Sequence, residues 1–354
     1  MALSGRPRKL TERGQKRSLT FCSPLLQISK LHVTFRSAQV QKAESFMEWA
    51  LWGFHGLRAC SAPALPAGCI TALQAVDFWT KQFEGKGVTE PELSSRYIIA
   101  YLLGAKTIES LEQQRLKEFL SREETDQLWQ LCTQRLSRMP VQYVIGEWDF
   151  RDLTLKMRPP VFIPRPETEE LVEVVLTDLQ RLCGSGATVL EVGCGSGAIS
   201  VSLLKSLPQL KAFALDQSQE AVDLTRENAL RSFHLSILIN VNADALLGLC
   251  GSVAVLVSNP PYLFSQDMAT LQPEILRFED HAALDGGKDG LNVIKQTLTL
   301  APRILPNQGR VYLEVDPRHP PLIQQWVEGN QCLCLLLRPR FCILQNEAPK
   351  PDQD

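Results

Sequence analysis

Asn259, Pro260, Pro261 and Tyr262 follow directly on the apolar run "VAVLVS". Proline cannot donate to a sheet ladder, so strand pairing is expected to stop there. The group suits one kind of chemistry. The nitrogen of a planar amide or exocyclic amine is a poor nucleophile, because its lone pair is delocalised. The Asn259 side-chain carbonyl and the Pro260 backbone carbonyl can each accept one N–H of such a group. That fixes the NH₂ and favours charge developing on nitrogen as a methyl group arrives. The prolines hold the carbonyls rigid, and Tyr262 offers a face to a planar substrate. No general base is obligatory if the proton leaves after transfer. On this reading Asn259→Asp keeps an acceptor and should be milder than Asn259→Ala.

A second constellation is "EVGCGSGA", Glu191 to Ala198. Glycines at a strand-to-helix turn permit a tight turn and close approach of a ligand. Candidate cofactor residues are Glu191, Gly193, Cys194, Gly195, Ser196 and Gly197. Gly193, Gly195 and Ala198 also satisfy the dinucleotide pattern, with Asp216 ending the next strand as a ribose-binding acid would. An NAD(P) enzyme is therefore one reading. Two features favour S-adenosylmethionine. Glu191 stands just before the loop, where a carboxylate suits a cationic ligand and opposes a pyrophosphate. "NAD" at Asn242–Asp244 ends the third strand, where Asp244 could receive an adenine amine; a solvated loop acid is its plainer reading. Asp216 can accept both ribose hydroxyls.

These residues need elements to position them. "TVLEVG", "KAFALD", "ILINVNAD", "VAVLVSN" and "RVYLEVD" are apolar runs separated by helical stretches. That alternation predicts an α/β fold with a doubly wound, mostly parallel sheet. "LCLLL" and "FCILQ" are closely spaced and predict a terminal antiparallel hairpin. Pro166 with Glu167, Glu169 and Glu170 predicts a helix start, acids suiting the positive end of the dipole. Leu171, Val172, Val175, Leu176 and Leu179 mark its buried face. Upstream, "TEPE" (Thr89–Glu92) and "SREE" (Ser121–Glu124) read as capping boxes. Alternation around Trp148–Met157 predicts a β-hairpin. The expected organisation is a leader over residues 1–70, a small helical domain over 71–138, a hairpin linker over 139–160 and an α/β catalytic domain over 161–354.

The chain has 354 residues and a net charge of −2. The charge is uneven. Residues 1–46 hold nine basic and two acidic residues, which leaves 28 basic and 37 acidic in the remainder. An acidic body argues against broad nucleic-acid binding. The basic, acid-poor N-terminus reads as an organelle transit peptide. No run of eighteen uncharged apolar residues suggests a membrane span. The ten cysteines form no C-x-x-C pair and no metal-ligand spacing.

"FIPRPETEELV", "EVGCGSGAIS", "ALDQSQEAVDLTRENA" and "SNPPY" together resemble the HemK/PrmC family of protein-(glutamine-N5) methyltransferases. The resemblance runs from about Ala72 to Val327, and its combination of motifs is highly specific. "MPVQYVIGEWDF" and "LEVDPRHP" resemble the mitochondrial branch of animals. The resemblance implies a helical N-terminal domain, a β-hairpin linker and a class I methyltransferase domain with a seven-stranded sheet. It implies S-adenosylmethionine as cofactor and the glutamine of a Gly-Gly-Gln motif in peptide chain release factors as substrate. It implies cofactor contacts at Gly193–Gly197, Asp216, Asp244–Ala245 and Asn259. Asn259, Pro260, Pro261 and Tyr262 would hold the glutamine amide. A monomer in the mitochondrial matrix is expected, with no metal and no membrane or nucleic-acid partner. One departure is the short segment "LLLRPRF" between the last two strands, which bears on fold stability. Two rivals stand beside this reading: an N6-adenine methyltransferase, which would need a basic target-binding surface, and a non-catalytic cofactor-binding adaptor, against which the intact Asn259 argues.

Overall fold

The computed structural model describes residues 69–182, 186–233, 237–240, 248–330, 333–338 and 340–346. The expected leader falls almost wholly outside them, as do Asp244 and Ala245.

Helices come first: α1 (Ala72–Gly85), α2 (Pro91–Leu102), α3 (Gln113–Lys117), α4 (Arg122–Leu136) and α5 (Val141–Ile145). Thr71 opens α1 with a capping box closed by Gln74. Ser121 and Glu124 open α4 in the same way, a cap worth about 1 kcal/mol. The "TEPE" expectation fails. The α2 N-cap is Glu90, in the left-handed region at φ 49°, with no side-chain cap. Pro91 does occupy the first turn. Thr89 is committed elsewhere, to Glu274, as described below. Trp79, Phe83, Ile98, Ile99, Leu128 and Cys132 are fully buried and form the core of this helical part. Val144 of α5, a helix not anticipated in the linker, joins the same core.

The hairpin follows. Strands β1 (Glu147–Phe150) and β2 (Leu153–Lys156) pair antiparallel, Glu147 opposite Lys156. Then α6 (Pro166–Leu182) leads into β3 (Thr188–Val192), α7 (Ala198–Ser206), β4 (Lys211–Leu215), α8 (Gln219–Phe233) and β5 (Ile237–Asn240). After β6 (Val255–Ser258) come α9 (Pro273–Phe278) and α10 (Asn292–Ile304). The chain ends with β7 (Arg310–Glu314), α11 (His319–Asn330), β8 (Leu333–Arg338) and β9 (Phe341–Asn346).

Seven strands form one sheet in the order β5-β4-β3-β6-β7-β9-β8. Strands β5, β4, β3, β6 and β7 are parallel to their neighbours, and β9 is antiparallel to both β7 and β8. The short segment before β9 still permits a six-residue β8–β9 ladder, Leu333 opposite Asn346 through Arg338 opposite Phe341. Alternate residues of the central strands serve opposite faces, as the pleat demands. Val189, Val255, Val257, Tyr312 and Ile343 pack beneath α6 and α7. Leu190, Leu256, Val311, Leu313 and Leu344 pack against α10 and α11. All five expected face residues of α6 are buried in the first of these cores. Chain order reverses between β3 and β6, and open α/β sheets take ligands at the carboxyl ends of strands at such a point. Among the described residues no helix is long and apolar enough to cross a membrane, and no cluster of His, Cys, Asp and Glu could hold a metal ion.

Candidate active site

A cavity of about 480 Å³ opens at the carboxyl ends of β3 and β6. Both sequence constellations line it: Glu191, Gly193, Cys194, Gly195, Ser196 and Asp216 on one side, Asn259, Pro260, Pro261 and Tyr262 on the other.

The glycine loop is pinned from three directions. The Leu215 carbonyl, at the end of β4, accepts from the Gly193 and Cys194 N–H groups at 2.8 and 2.9 Å. Asp216 accepts from Gly195 N–H and Ser218 N–H, both at 2.9 Å. From α8, the Thr225 hydroxyl donates to the Gly195 carbonyl and the Asn228 amide to the Ser196 carbonyl, each at 2.9 Å. Gly197 leaves no space for a side chain. Its φ is +82°, and an added Cβ would stand 2.9 Å from Thr225 Cγ2.

Glu191 is buried, and its Oε2 accepts from the Ser200 N–H and the Ser200 hydroxyl. Burial pushes its carboxyl up to about 8, only partly opposed by those bonds. Ser200 N–H belongs to the first turn of α7, so the carboxylate occupies the helix end that a phosphate would use. The remaining charge around the cavity points the same way. Its other acids are Asp216 and Asp280, and its Arg165 is paired with Glu279 at 2.6 Å. Such a lining opposes a pyrophosphate and suits a cation. The residues thus fit a sulfonium cofactor better than a dinucleotide. Burial also raises the Asp216 carboxyl, against the pull of its backbone hydrogen bonds.

Across the cavity, β6 ends at Ser258, whose hydroxyl donates to the Val192 carbonyl at 2.6 Å and ties the two strand ends together. Asn259 Nδ2 donates to Thr168 Oγ1 at 3.1 Å. Thr168 Oγ1 donates to Glu314 Oε2 at 2.8 Å, and the Tyr262 hydroxyl donates to Glu314 Oε1 at 3.2 Å. Among the described residues no N–H or O–H reaches Asn259 Oδ1 or the Pro260 carbonyl. Both expected acceptors are therefore open. Tyr262 is held by its hydroxyl as well as presenting its ring, and burial, then the nearby Glu314, pushes that phenol upward.

Sequence reasoning missed three contributors. Thr168 and Glu314 lie in α6 and at the end of β7, far from Asn259 in the chain. The third is the loop "DGGKDG", Asp285 to Gly290, whose three glycines in five residues were an available signal. It forms a parallel bridge to the segment after Tyr262: Leu263 N–H donates to the Leu284 carbonyl, and Gly286 N–H to the Leu263 carbonyl. A Cβ on Gly290 would stand 2.6 Å from the Tyr262 carbonyl, so glycine there lets the two backbones meet.

The site also reaches the helical part. Ile275 of α9 lines the cavity, and its neighbour Glu274 is buried. Glu274 accepts from Thr89 N–H at 3.2 Å, the Thr89 hydroxyl at 3.0 Å, Arg138 Nη2 at 2.9 Å and Arg135 Nη1 at 3.4 Å.

Comparison with known proteins gives the chain a family. Residues 74–146 match the PrmC N-terminal domain, and residues 153–305 match the Methyltransferase small domain. The chain is 44% identical over 334 residues to the human MTRF1L release factor glutamine methyltransferase, covering 86% of this chain and 98% of that protein. It is 35% identical over 244 residues to the release factor glutamine methyltransferase of Deinococcus radiodurans, covering 69% of this chain and 85% of the relative. A Streptococcus pneumoniae protein of the same name is 37% identical over 199 residues, covering 56% and 70%. With both family domains in order and a relative matched over nearly its whole length, the chain belongs to the HemK/PrmC family of protein-(glutamine-N5) methyltransferases, built on a class I methyltransferase fold.

Proposed function

We propose that this enzyme transfers a methyl group from S-adenosylmethionine to the side-chain nitrogen of the glutamine in the Gly-Gly-Gln motif of a peptide chain release factor. The observation that carries the reading is the pair of open acceptors, Asn259 Oδ1 and the Pro260 carbonyl, at the mouth of β6. Each takes one N–H of the glutamine amide. Both N–H groups then point into the protein, and the nitrogen faces the cofactor side of the cavity. As positive charge develops on nitrogen, two preorganised carbonyls stabilise it. Tyr262 and the two prolines enclose the planar amide.

Bound S-adenosylmethionine supplies the electrophilic methyl group. Residues Gly193–Gly197 allow its close approach, Asp216 accepts its ribose hydroxyls, and Glu191 offers the nearby carboxylate. Asp244 and Ala245 are assigned to the adenine by motif alone. The helical part, residues 71–138, is the surface proposed to dock the release factor. Nothing supports the adenine-methylating alternative: the relatives are named for glutamine methylation, and the cavity's acidic lining lacks an unpaired basic group.

The test is mass spectrometry of a release factor incubated with enzyme and S-adenosylmethionine. A single methyl on the motif glutamine supports the reading. Methylation of adenine in nucleic acid, with the release factor unmodified, would overturn it.

Glu191 gives the cofactor reading a pH signature. Its raised value means that the folded protein binds this proton between the ordinary carboxylate range and about 8. Stability therefore falls as pH rises through that window, because the unfolded chain releases this proton there while the folded chain keeps it. A neighbouring cation favours the ionised form. Affinity for S-adenosylmethionine, relative to the uncharged thioether S-adenosylhomocysteine, should then rise as pH climbs towards about 8. Glu191→Gln should flatten the ratio. A ratio independent of pH in the wild type would show that Glu191 does not sense the sulfonium.

Mitochondrial import belongs to the same proposal. It is supported by the nine basic and two acidic residues of positions 1–46. Residues 1–70 fused to a fluorescent reporter should direct it to mitochondria, and a diffuse cytosolic signal would refute import.

A further inference from the structure

We propose that Glu314 and Thr168 are positioning residues that set which face of the Asn259 amide meets the substrate. The proposal rests on the glutamine-binding role of Asn259 given above. It arises from the direction of three hydrogen bonds.

A side-chain amide has a donating end and an accepting end, and little besides its partners decides which end faces where. Only the accepting end of Asn259 serves the reaction. Its partner is a hydroxyl, which can donate or accept, so Thr168 alone does not settle the matter. Glu314 does. An ionised carboxylate accepts only. It takes the single hydroxyl hydrogen of Thr168 at Oε2 and that of Tyr262 at Oε1. Thr168 Oγ1 then has nothing left to give and can only accept. Asn259 must turn Nδ2 towards it, and Oδ1 is left facing the cavity.

The relay is built for this. Thr168 and Glu314 are 2% and 3% exposed, so water cannot substitute for either partner. The three groups come from the first turn of α6, the end of β7 and the residue just after β6, so the packing of α6 on the sheet fixes their spacing. The charges facing Glu314 are Glu167 and Arg340, which pair with each other at 2.9 Å, and the Tyr262 phenol. Burial is the largest influence on the Glu314 carboxyl and raises it; the Thr168 and Tyr262 bonds and Arg340 oppose this, and Glu167 adds to it. When Glu314 takes up a proton it gains a donor. It can then donate to Thr168, which frees the Thr168 hydrogen for Asn259 and allows the amide to turn over. Activity should therefore fall on the acid side as Glu314 protonates.

The experiment uses the full chain with a Gly-Gly-Gln release factor. Thr168→Val keeps the shape and removes the hydroxyl, Thr168→Ser restores it, and Glu314→Gln removes the charge. Thr168→Val and Glu314→Gln should each lower kcat at least about tenfold, leaving KM and S-adenosylhomocysteine affinity within about twofold. Thr168→Ser should keep most of the activity, and the acid limb of the rate profile should be lost in Glu314→Gln. Because Thr168 touches Asn259 and not Tyr262, Thr168→Val should cause no further loss in an Asn259→Ala background. An equal further loss there, or a Thr168→Val enzyme within about twofold of wild type, would overturn the relay. The Asn259 side-chain amide signal in nitrogen NMR gives a substrate-free check. It should be protected from exchange in the wild type and Thr168→Ser, and exposed in Thr168→Val. Protection unchanged in Thr168→Val would likewise end the proposal. A wild-type enzyme that leaves the release factor unmodified would instead refute the proposed function, and the NMR comparison would still decide the relay.

Discussion

Asn259→Ala is expected to lower kcat for glutamine methylation about a hundredfold, the effect of losing one preorganised acceptor worth roughly 3 kcal/mol in the transition state. Substrate and cofactor binding should change far less, because the charge that Asn259 stabilises develops only as the methyl arrives. The geometry revises what sequence suggests for Asn259→Asp. A carboxylate keeps an acceptor but cannot donate to Thr168 Oγ1, and it brings a second negative charge towards Glu314. Asn259→Asp should therefore be no better than Asn259→Ala. Tyr262→Phe keeps the ring but leaves Glu314 Oε1 without its donor, so it should fall between the wild type and Tyr262→Ala. Rates measured at saturating substrate check the series. An Asn259→Ala enzyme within about threefold of wild type would remove Asn259 from the chemistry.

Glu274→Ala is expected to destabilise the fold by about 3 kcal/mol or more, the usual cost of removing one partner of a buried ion pair. Glu274 is 4% exposed, and Arg135, one of its partners, is 3% exposed. Arg135 also donates to the carbonyls of Thr89 and Met139 and to Ser94 Oγ, so it cannot swing out to water when Glu274 is removed. Its charge would stay buried without compensation. The carboxyl itself carries the pH signature. Burial alone would raise it, but the Arg138 and Thr89 hydrogen bonds prevail and hold it at about 2. A depressed carboxyl stabilises the fold above its unfolded value of about 4.5, and that contribution drains away as pH falls towards about 2. Urea unfolding of wild type and Glu274→Ala should differ most near neutral pH and converge in acid. A difference below about 1 kcal/mol at neutral pH would mean that the pair contributes little. The consequence reaches the site, since Glu274 belongs to the same short helix as the cavity-lining Ile275.

The sheet was legible because its strands are short runs of β-branched and aliphatic residues between amphipathic helices. That pattern survives any detail of packing. The placement of both motifs followed from it, since strand ends in a parallel sheet share one edge. Local capping chemistry was legible where it stayed local, as at Ser121 and Glu124. It misled at Thr89, whose hydroxyl answers Glu274, a residue in another part of the chain. The same limit hid Thr168 and Glu314. A Thr in the first turn of one helix and a Glu ending a strand are individually unremarkable, and only tertiary structure sets them beside Asn259. Glu191 was picked out as a carboxylate beside the ligand. That it also caps α7 through Ser200, and holds its proton up to about 8, depends on burial that no spacing reveals.

Mass spectrometry of a release factor methylated by wild-type and Asn259→Ala enzyme, side by side with a substrate whose motif glutamine is replaced by glutamate, tests the central claim most directly. Wild type should add one methyl to the glutamine side chain, the variant should do so about a hundredfold more slowly, and the glutamate substrate, having no N–H for either carbonyl to hold, should stay unmodified. A methyl placed on any other residue, or on the glutamine at an undiminished rate by Asn259→Ala, would contradict it.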